Sequence, residues 1–455
     1  YSLGLTLEKQ GKVVNAAQTY QKALSCDRTL LDAYNNLGNL VVEHGDPSQA
    51  EPLYHQAIQI NPSHVGSYLN LGNLLLTQNR LEEAIQTYLR ALELEPANSA
   101  VLENLEFAHQ LTRDERQALL FAGNSHYQRQ QYRQAAIYYQ ALLDQQSADL
   151  DLYSWLADCY EKSRQYDRVI QVCNAGTAQH PTAIHLYKQL LQALRETNQT
   201  DRALALAEQA TIHFPEELYF ALQKALLLPV LYLETAAIDH YRQHFSQGLT
   251  RLVAETSLAS APVRQSALQA IAEHTNFLLA YQNRNDRELQ KQYGQFVHQV
   301  MAANYPDWVN SLPVPSSSGK IRVGYVSGCM WEHTVGKLMI GWLRYHDREQ
   351  FEIYSYSLTD QFDALSQEYR SCSHAFHQFA NHPDQLEAVC HQVLADQLHI
   401  LVYFDIGQQA TLTQLAALRL APVQCATWVH PVTSGLPTID YFLSSDLMEP
   451  DNACS

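Results

Sequence analysis

Residues 320–345 read KIRVGYVSGCMWEHTVGKLMIGWLRY. Ile321, Val323 and Tyr325 alternate with Arg322, Gly324 and Val326, the period of a strand. Ser327–Gly328 reads as a turn. Val335, Leu338, Met339 and Trp342 then recur at i, i+3, i+4 and i+7, the period of a helix. Strand, short loop and helix make the opening unit of a parallel α/β sheet, in which ligands bind outside the carboxyl ends of the strands. His333 falls in that loop or at the helix start, where a functional side chain is expected. A lone histidine there otherwise serves as a cap or a packing residue. The stretch has no GxGxxG and no GxxxxGK[ST], so neither common phosphate loop is present.

Downstream, Phe351–Leu358 alternates like a strand, and helical patterns follow near 362–371 and 383–396. His399–Phe404 is a near-continuous apolar run, as a buried parallel strand requires. A helix near 411–419, a strand at Val423–Thr427, a loop at His430–Gly435 and a short strand at Asp440–Leu443 complete the pattern. Strands alternating with helices predict a doubly wound parallel sheet. Upstream, residues 311–319 (SLPVPSSSG) are rich in Pro, Ser and Gly and mark a linker.

The N-terminal half repeats. Tyr34, Leu37, Gly38, Ala50, Tyr54, Ala57 and Pro62 return 34 residues later as Tyr68, Leu71, Gly72, Ala84, Tyr88, Ala91 and Pro96. Leu3, Gly4, Ala16, Tyr20 and Ala23 precede them by the same step. This is the period and pattern of the tetratricopeptide repeat. Small residues let two antiparallel helices approach, and Pro ends the second helix. A new register starts near Leu119, with Gly123, Ala135 and Tyr139, so 98–118 is expected to be an irregular joint. The expected organisation is a repeat solenoid over 1–215, a helical connector and linker over 216–318, and an α/β Rossmann-like domain over 319–455.

Within the array, Asn36, Asn70 and Asn104 recur every 34 residues, as do Asn39 and Asn73, with Asn124 equivalent in the second register. Asn is a mediocre helix former. Its amide offers both a donor and an acceptor, so a row of amides on a concave surface can grip an extended peptide whatever its sequence. The competing expectation is that these amides bond between neighbouring helices.

The net charge of −17 argues against nucleic acid or an anionic membrane as the main partner. No apolar run approaches the roughly 20 residues that span a bilayer; the longest, Ala225–Leu233, contains Pro229. The eight cysteines form no CxxC pair and no zinc-spaced cluster, which suits reduced thiols in a cytoplasm. No metal is expected. The chain opens at Tyr1 inside a repeat, so further sequence is expected before it.

Repeats followed by KIRVGYVS…HTVGKLM, DQLHILVYFDI and LRLAPVQCATWVHPVTSGLPTIDYFLSSD resemble the O-linked N-acetylglucosamine transferase family and its SPINDLY branch, glycosyltransferase family 41. The resemblance implies a GT-B enzyme with two Rossmann-like halves, of which 319–455 is the first. It implies transfer of a sugar from UDP-N-acetylglucosamine or GDP-fucose to protein Ser or Thr, with inversion and with no cofactor. The second half is expected beyond Ser455, and this chain alone is expected to be inactive. By the same resemblance His333 is the histidine at the reacting centre, a candidate base, although the Pro that usually follows it is Thr334 here. Lys337 stands where a second His is usual and is assigned to acceptor or sugar contact. Asp396 and His399 are assigned to proton removal or support of the site. Pro431, Thr433, Ser434 and Gly435 are assigned to the acceptor side of the cleft.

A base for the acceptor hydroxyl suits His and Asp. The leaving diphosphate needs helix N-termini and basic side chains. No Lys/Arg cluster occurs in 320–455, so it is expected in the second half. The alternative expectation is a repeat scaffold with an incomplete transferase domain; a weaker one is transfer to Asn rather than to Ser or Thr.

Overall fold

The structure, a computed structural model, describes residues 1–44, 46–111, 115–145, 149–315, 319–380, 382, 385–429 and 433–444. The chain forms two compact units, Tyr1–Ala193 and Leu194–Ser455. The boundary expected at 215 therefore falls inside the second unit.

The first unit is a run of helices: α1 (Ser2–Lys9), α2 (Val13–Cys26), α3 (Leu31–His44), α4 (Ala50–Ile60), α5 (Val65–Thr77), α6 (Leu81–Leu94), α7 (Ser99–Leu111), α8 (Glu115–Gln128), α9 (Tyr132–Asp144), α10 (Leu150–Lys162), α11 (Tyr166–Gln179) and the start of α12 (Ile184–Glu196). One device recurs in its hairpins. Gly4, Gly38, Gly72 and Gly123 on the first helix each face a buried tyrosine of the second: Tyr20, Tyr54, Tyr88 and Tyr139. A Cβ on any of these glycines would stand 2.3–2.6 Å from the ring, a contact no side chain tolerates. Each buried hydroxyl then needs a partner. Tyr54 donates to Asn39 Oδ1 at 2.8 Å, Tyr88 to Asn73 at 2.6 Å and Tyr139 to Asn124 at 2.7 Å. In the first hairpin Glu8 takes this role, accepting from Tyr20 at 2.6 Å. Gly72→Ala is expected to destabilise the chain by about 1–3 kcal/mol in urea unfolding through overpacking against Tyr88.

The phase slip has a simple form. Within 98–118 the described residues belong to two helices, α7 and α8, and residues 112–114 lie outside the described residues. α7 and α8 both carry the first-helix pattern, with Asn104 and Asn124 at their respective positions, and no second helix stands between them.

The second unit begins with the end of α12 and α13 (Thr200–His213), α14 (Leu218–Leu226), α15 (Thr235–Glu255), α16 (Ala261–Ala272) and α17 (Arg287–Asn304). The α/β region follows as β1 (Ile321–Ser327), α18 (Thr334–Arg344), β2 (Phe351–Leu358), α19 (Ala364–Cys372), β3 (Ala375–Phe379), α20 (Leu386–Ala395), β4 (Ile400–Tyr403), α21 (Ala410–Ala416), β5 (Val423–Thr427) and β6 (Tyr441–Leu443). All strand pairings are parallel, in the order β3-β2-β1-β4-β5-β6. β3 is the strand the alternation did not reveal. It lies at the sheet edge, half-buried, and AFHQF has no apolar run to announce it. On one face Val323, Tyr325, Val402 and Phe404 pack under Val335, Met339, Ile340 and Leu343 of α18, the helical stripe expected from spacing.

Candidate functional site

The strand order reverses direction between β1 and β4: from β1 the chain winds outward through β2 and β3, then returns to β4 on the other side. The connections therefore diverge at the carboxyl ends of β1 and β4 and leave a crevice, the switch point where doubly wound sheets take ligands. The β1–α18 loop, residues 328–333, lines one side and the residues after β4 line the other.

The loop is held from several directions. The Gly328 N–H donates to Asp405 Oδ2 at 3.2 Å and the Cys329 N–H to Ser327 Oγ at 2.9 Å. The Glu332 N–H donates to Asp363 Oδ2 at 2.7 Å, and the Ser366 hydroxyl donates to the Met330 carbonyl at 2.8 Å. Gly336 lets the loop lie directly on the helix, since a Cβ there would meet the Cys329 and Trp331 carbonyls at 2.4 Å. These bonds fix the residue at the loop's end, His333.

His333 is the N-cap of α18. Its Nδ1 accepts from the Val335 N–H at 3.3 Å, and its ring lies 5.5 Å from that of Trp331. A neutral imidazole with its Nδ1 lone pair so engaged carries its proton on Nε2. In this geometry His333 presents a hydrogen-bond donor beside the positive end of a helix, a pair suited to an oxygen bearing negative charge. Lys337, one turn on, is tied on the surface to Glu332 at 2.6 Å.

Across the crevice stands Asp405, just past β4 and fully buried. One carboxylate oxygen takes the Gly328 N–H; the other, Oδ1, has no hydrogen-bond partner among the described residues. Burial pushes its pKa up to about 6, against the opposing pull of Ser327, Cys329, the Gly328 N–H and the nearby His333. The Gln409 side chain lies against Gly328 in the same crevice, with a buried Oε1 also unpartnered. Neither Asp405 nor Gln409 was singled out from sequence. The signal for Asp405 was present: in VYFD the acid directly follows an apolar parallel strand, at the ligand-binding end.

A family model spans the switch-point histidine and its pinned loop. Residues 245–454 match glycosyl transferase family 41. Tetratricopeptide repeat models match residues 41–105 and 126–194. An Arabidopsis thaliana protein described as a probable UDP-N-acetylglucosamine–peptide N-acetylglucosaminyltransferase SEC is 27% identical over 141 residues, 30% of this chain and 14% of its own length. The Arabidopsis SPINDLY protein is 28% identical over 151 residues, 32% of this chain and 16% of its own length. Among solved structures, a mutant O-GlcNAc transferase of Thermobaculum terrenum aligns at TM-score 0.40 and 16% identity, covering 86% of this chain and 55% of that one. The matches thus span 14–16% of the length of these two curated relatives.

Within the matched region the sheet separates the expected site residues. Asp396 and His399 precede β4 in the chain, on the side from which that strand enters the sheet, whereas His333 follows β1. The His399 Nδ1 accepts from the Arg322 N–H at 3.0 Å, at the start of β1. From Arg322 to Ser327 is about 17 Å of strand at ~3.3 Å per residue. The His399 ring also interacts with the Pro315 backbone. Burial and the Arg322 guanidinium lower its pKa against that bond. Asp396 ends α20, accepting from the Tyr356 hydroxyl at 2.6 Å and from Gln392 at 3.1 Å. Asp396 also lies 3.3 Å from His377 Nε2 of β3, and neither Asp396 nor His399 bonds His333 among the described residues.

Thr433, Ser434 and Gly435 do follow the carboxyl end of β5, on the same edge as His333. Thr433 and Ser434 border a gap of about 20 Å³ beside Ile406 and Thr413. Gly435, at φ +67°, lies on the backbone of Gln290 in α17. Pro431 lies outside the described residues. In the array, Asn39, Asn73 and Asn124 spend their carbonyls on buried tyrosines. Asn104 donates to Asn73 at 2.7 Å and Asn36 to the Tyr1 hydroxyl at 3.2 Å. Bonding between helices thus takes most of this set. The half-buried Asn70 keeps its amide unengaged among the described residues.

Proposed function

We propose that the complete protein is a protein O-glycosyltransferase. It moves a sugar from a nucleotide donor to Ser or Thr hydroxyls by inverting displacement. This chain supplies the repeat array and the first Rossmann-like half. The observation that carries the reading is His333, capping α18 at the switch point with its donor nitrogen free for a ligand oxygen. The named relatives are UDP-N-acetylglucosamine–peptide transferases, which favours N-acetylglucosamine over fucose as the sugar. His333 would hold the acceptor or donor oxygen in place. The helix N-terminus would favour the charge that develops on the leaving diphosphate. Repeat models over the array support a role in protein or peptide binding, with Asn70 as its free amide. The seven described cysteines are unpaired, and no helix among the described residues is long and apolar enough to cross a membrane; a cytoplasmic setting is part of the reading.

The test is intact-mass analysis of a Ser/Thr-rich acceptor incubated with the complete gene product and, in parallel, UDP-N-acetylglucosamine or GDP-fucose. The expected result is a gain of N-acetylglucosamine in the first tube. A gain only with GDP-fucose would change the donor. No gain with either would favour a binding scaffold.

A further inference from the structure

The second unit has a cavity away from the switch point. It holds about 610 Å³ at the amino end of the sheet, where the extended Leu312–Pro315 segment passes over the starts of β1 and β4. This volume is that of a small-molecule site. Its walls are mixed: Val314, Leu398 and Pro422 are among its apolar residues, Gln397 and His399 add polar surface, and its charged groups are Lys320, Arg322 and Glu352. Positive charge is in excess.

Arg322 is the informative residue. Its backbone is held on both sides, the N–H by His399 Nδ1 and the carbonyl by the His399 N–H. Its guanidinium Nε is nevertheless buried with no acceptor. Glu352 is its register partner on β2, yet the two form no ion pair among the described residues. Buried guanidinium donors left unmade are costly. A planar carboxylate matches the guanidinium fork, and the apolar part of the wall, Val314, Leu398 and Pro422, suits a ligand with an apolar body. We propose that this cavity binds a small amphipathic carboxylate, its head on Arg322 and its apolar body against Val314, Leu398 and Pro422. The site is separate from His333 and does not depend on the transfer reaction.

The carboxylate has two sources, a free acid with an alkyl tail or the C-terminus of a peptide ending in an apolar residue. Calorimetric titration of the 455-residue chain with octanoate and with N-acetylleucine separates them. The expected result is saturable one-site binding of at least one probe, with Kd on the order of 1 mM or tighter. Octanol should bind at least about 10-fold more weakly than octanoate, and Arg322→Gln should weaken the carboxylate by about 10-fold or more. Glu352→Gln, which removes the competing anion, should tighten it by about 3-fold. This second variant decides the matter if Arg322→Gln fails to fold. His333→Ala should bind as the parent does. Absence of saturable binding by both probes, or unchanged affinity in both Arg322→Gln and Glu352→Gln, would overturn the proposal.

Discussion

His333→Ala in the complete protein is expected to lower kcat/KM for sugar transfer by about 10²–10³-fold, the usual effect of deleting one donor aimed at developing charge. The same change removes the α18 cap and so costs about 1 kcal/mol of stability, too little to unfold a domain. His333→Asn separates donor from base. Asn is among the best N-caps, and its amide can still donate while it cannot take up a proton. If Nε2 acts as the donor implied by the Nδ1–Val335 bond, the Asn variant should recover at least about 10-fold over Ala. If His333 is a general base, the two variants should be equally inactive. Steady-state kinetics on both, with thermal unfolding as a check on the fold, distinguishes the outcomes.

Asp405→Asn is expected to stabilise the chain at neutral pH. The carboxyl is fully buried, and its pKa rises from 3.8 to about 6 in the fold. A raised carboxyl pKa means that the folded chain holds the proton more tightly than the unfolded one. This group's contribution is therefore most favourable below about pH 4, declines as pH rises through about 6, and is flat above. At about 1.4 kcal/mol per pH unit the gap amounts to about 3 kcal/mol. Asn keeps an acceptor for the Gly328 N–H without the charge, so urea unfolding should show a gain approaching that size at pH 7.5 and little gain at pH 4. Equal stability of variant and parent at both pH values would contradict the burial argument. A carboxylate kept at such a cost beside His333 fits a role in the crevice, and transfer by the variant is expected to fall.

Much of the fold was legible because its cores are periodic. The repeat step of 34, the stripe of α18 and the apolar run before Phe404 each announce one element. β3 was not legible, since a half-buried edge strand needs little apolar sequence. The phase slip was visible as a shift of register, and the helix boundaries place it at the step from α7 to α8. His333 was legible from strand, loop and helix. Asp396 and His399 were drawn to the site by family resemblance, although strand direction already argued otherwise. In a parallel sheet, residues before β4 and residues after β1 lie at opposite ends, and Asp405 is the acid at the His333 end. The asparagines show the same lesson. Asn39, Asn73 and Asn124 each precede a buried tyrosine by fifteen residues, a spacing as regular as the repeat itself and a stronger reason for an amide than a peptide.

The central claim is that chemistry takes place at the carboxyl edge of this sheet and not at its amino edge. Its most direct test is an intact-mass time course of acceptor modification by the complete protein, comparing His333→Ala with Asp396→Asn and His399→Gln, each verified as folded at the assay temperature. Transfer is expected within about 10-fold of the parent for the Asp396 and His399 variants, with a loss of at least about 10²-fold for His333→Ala. Folded Asp396 or His399 variants as inactive as His333→Ala, or an active His333→Ala, would contradict that claim.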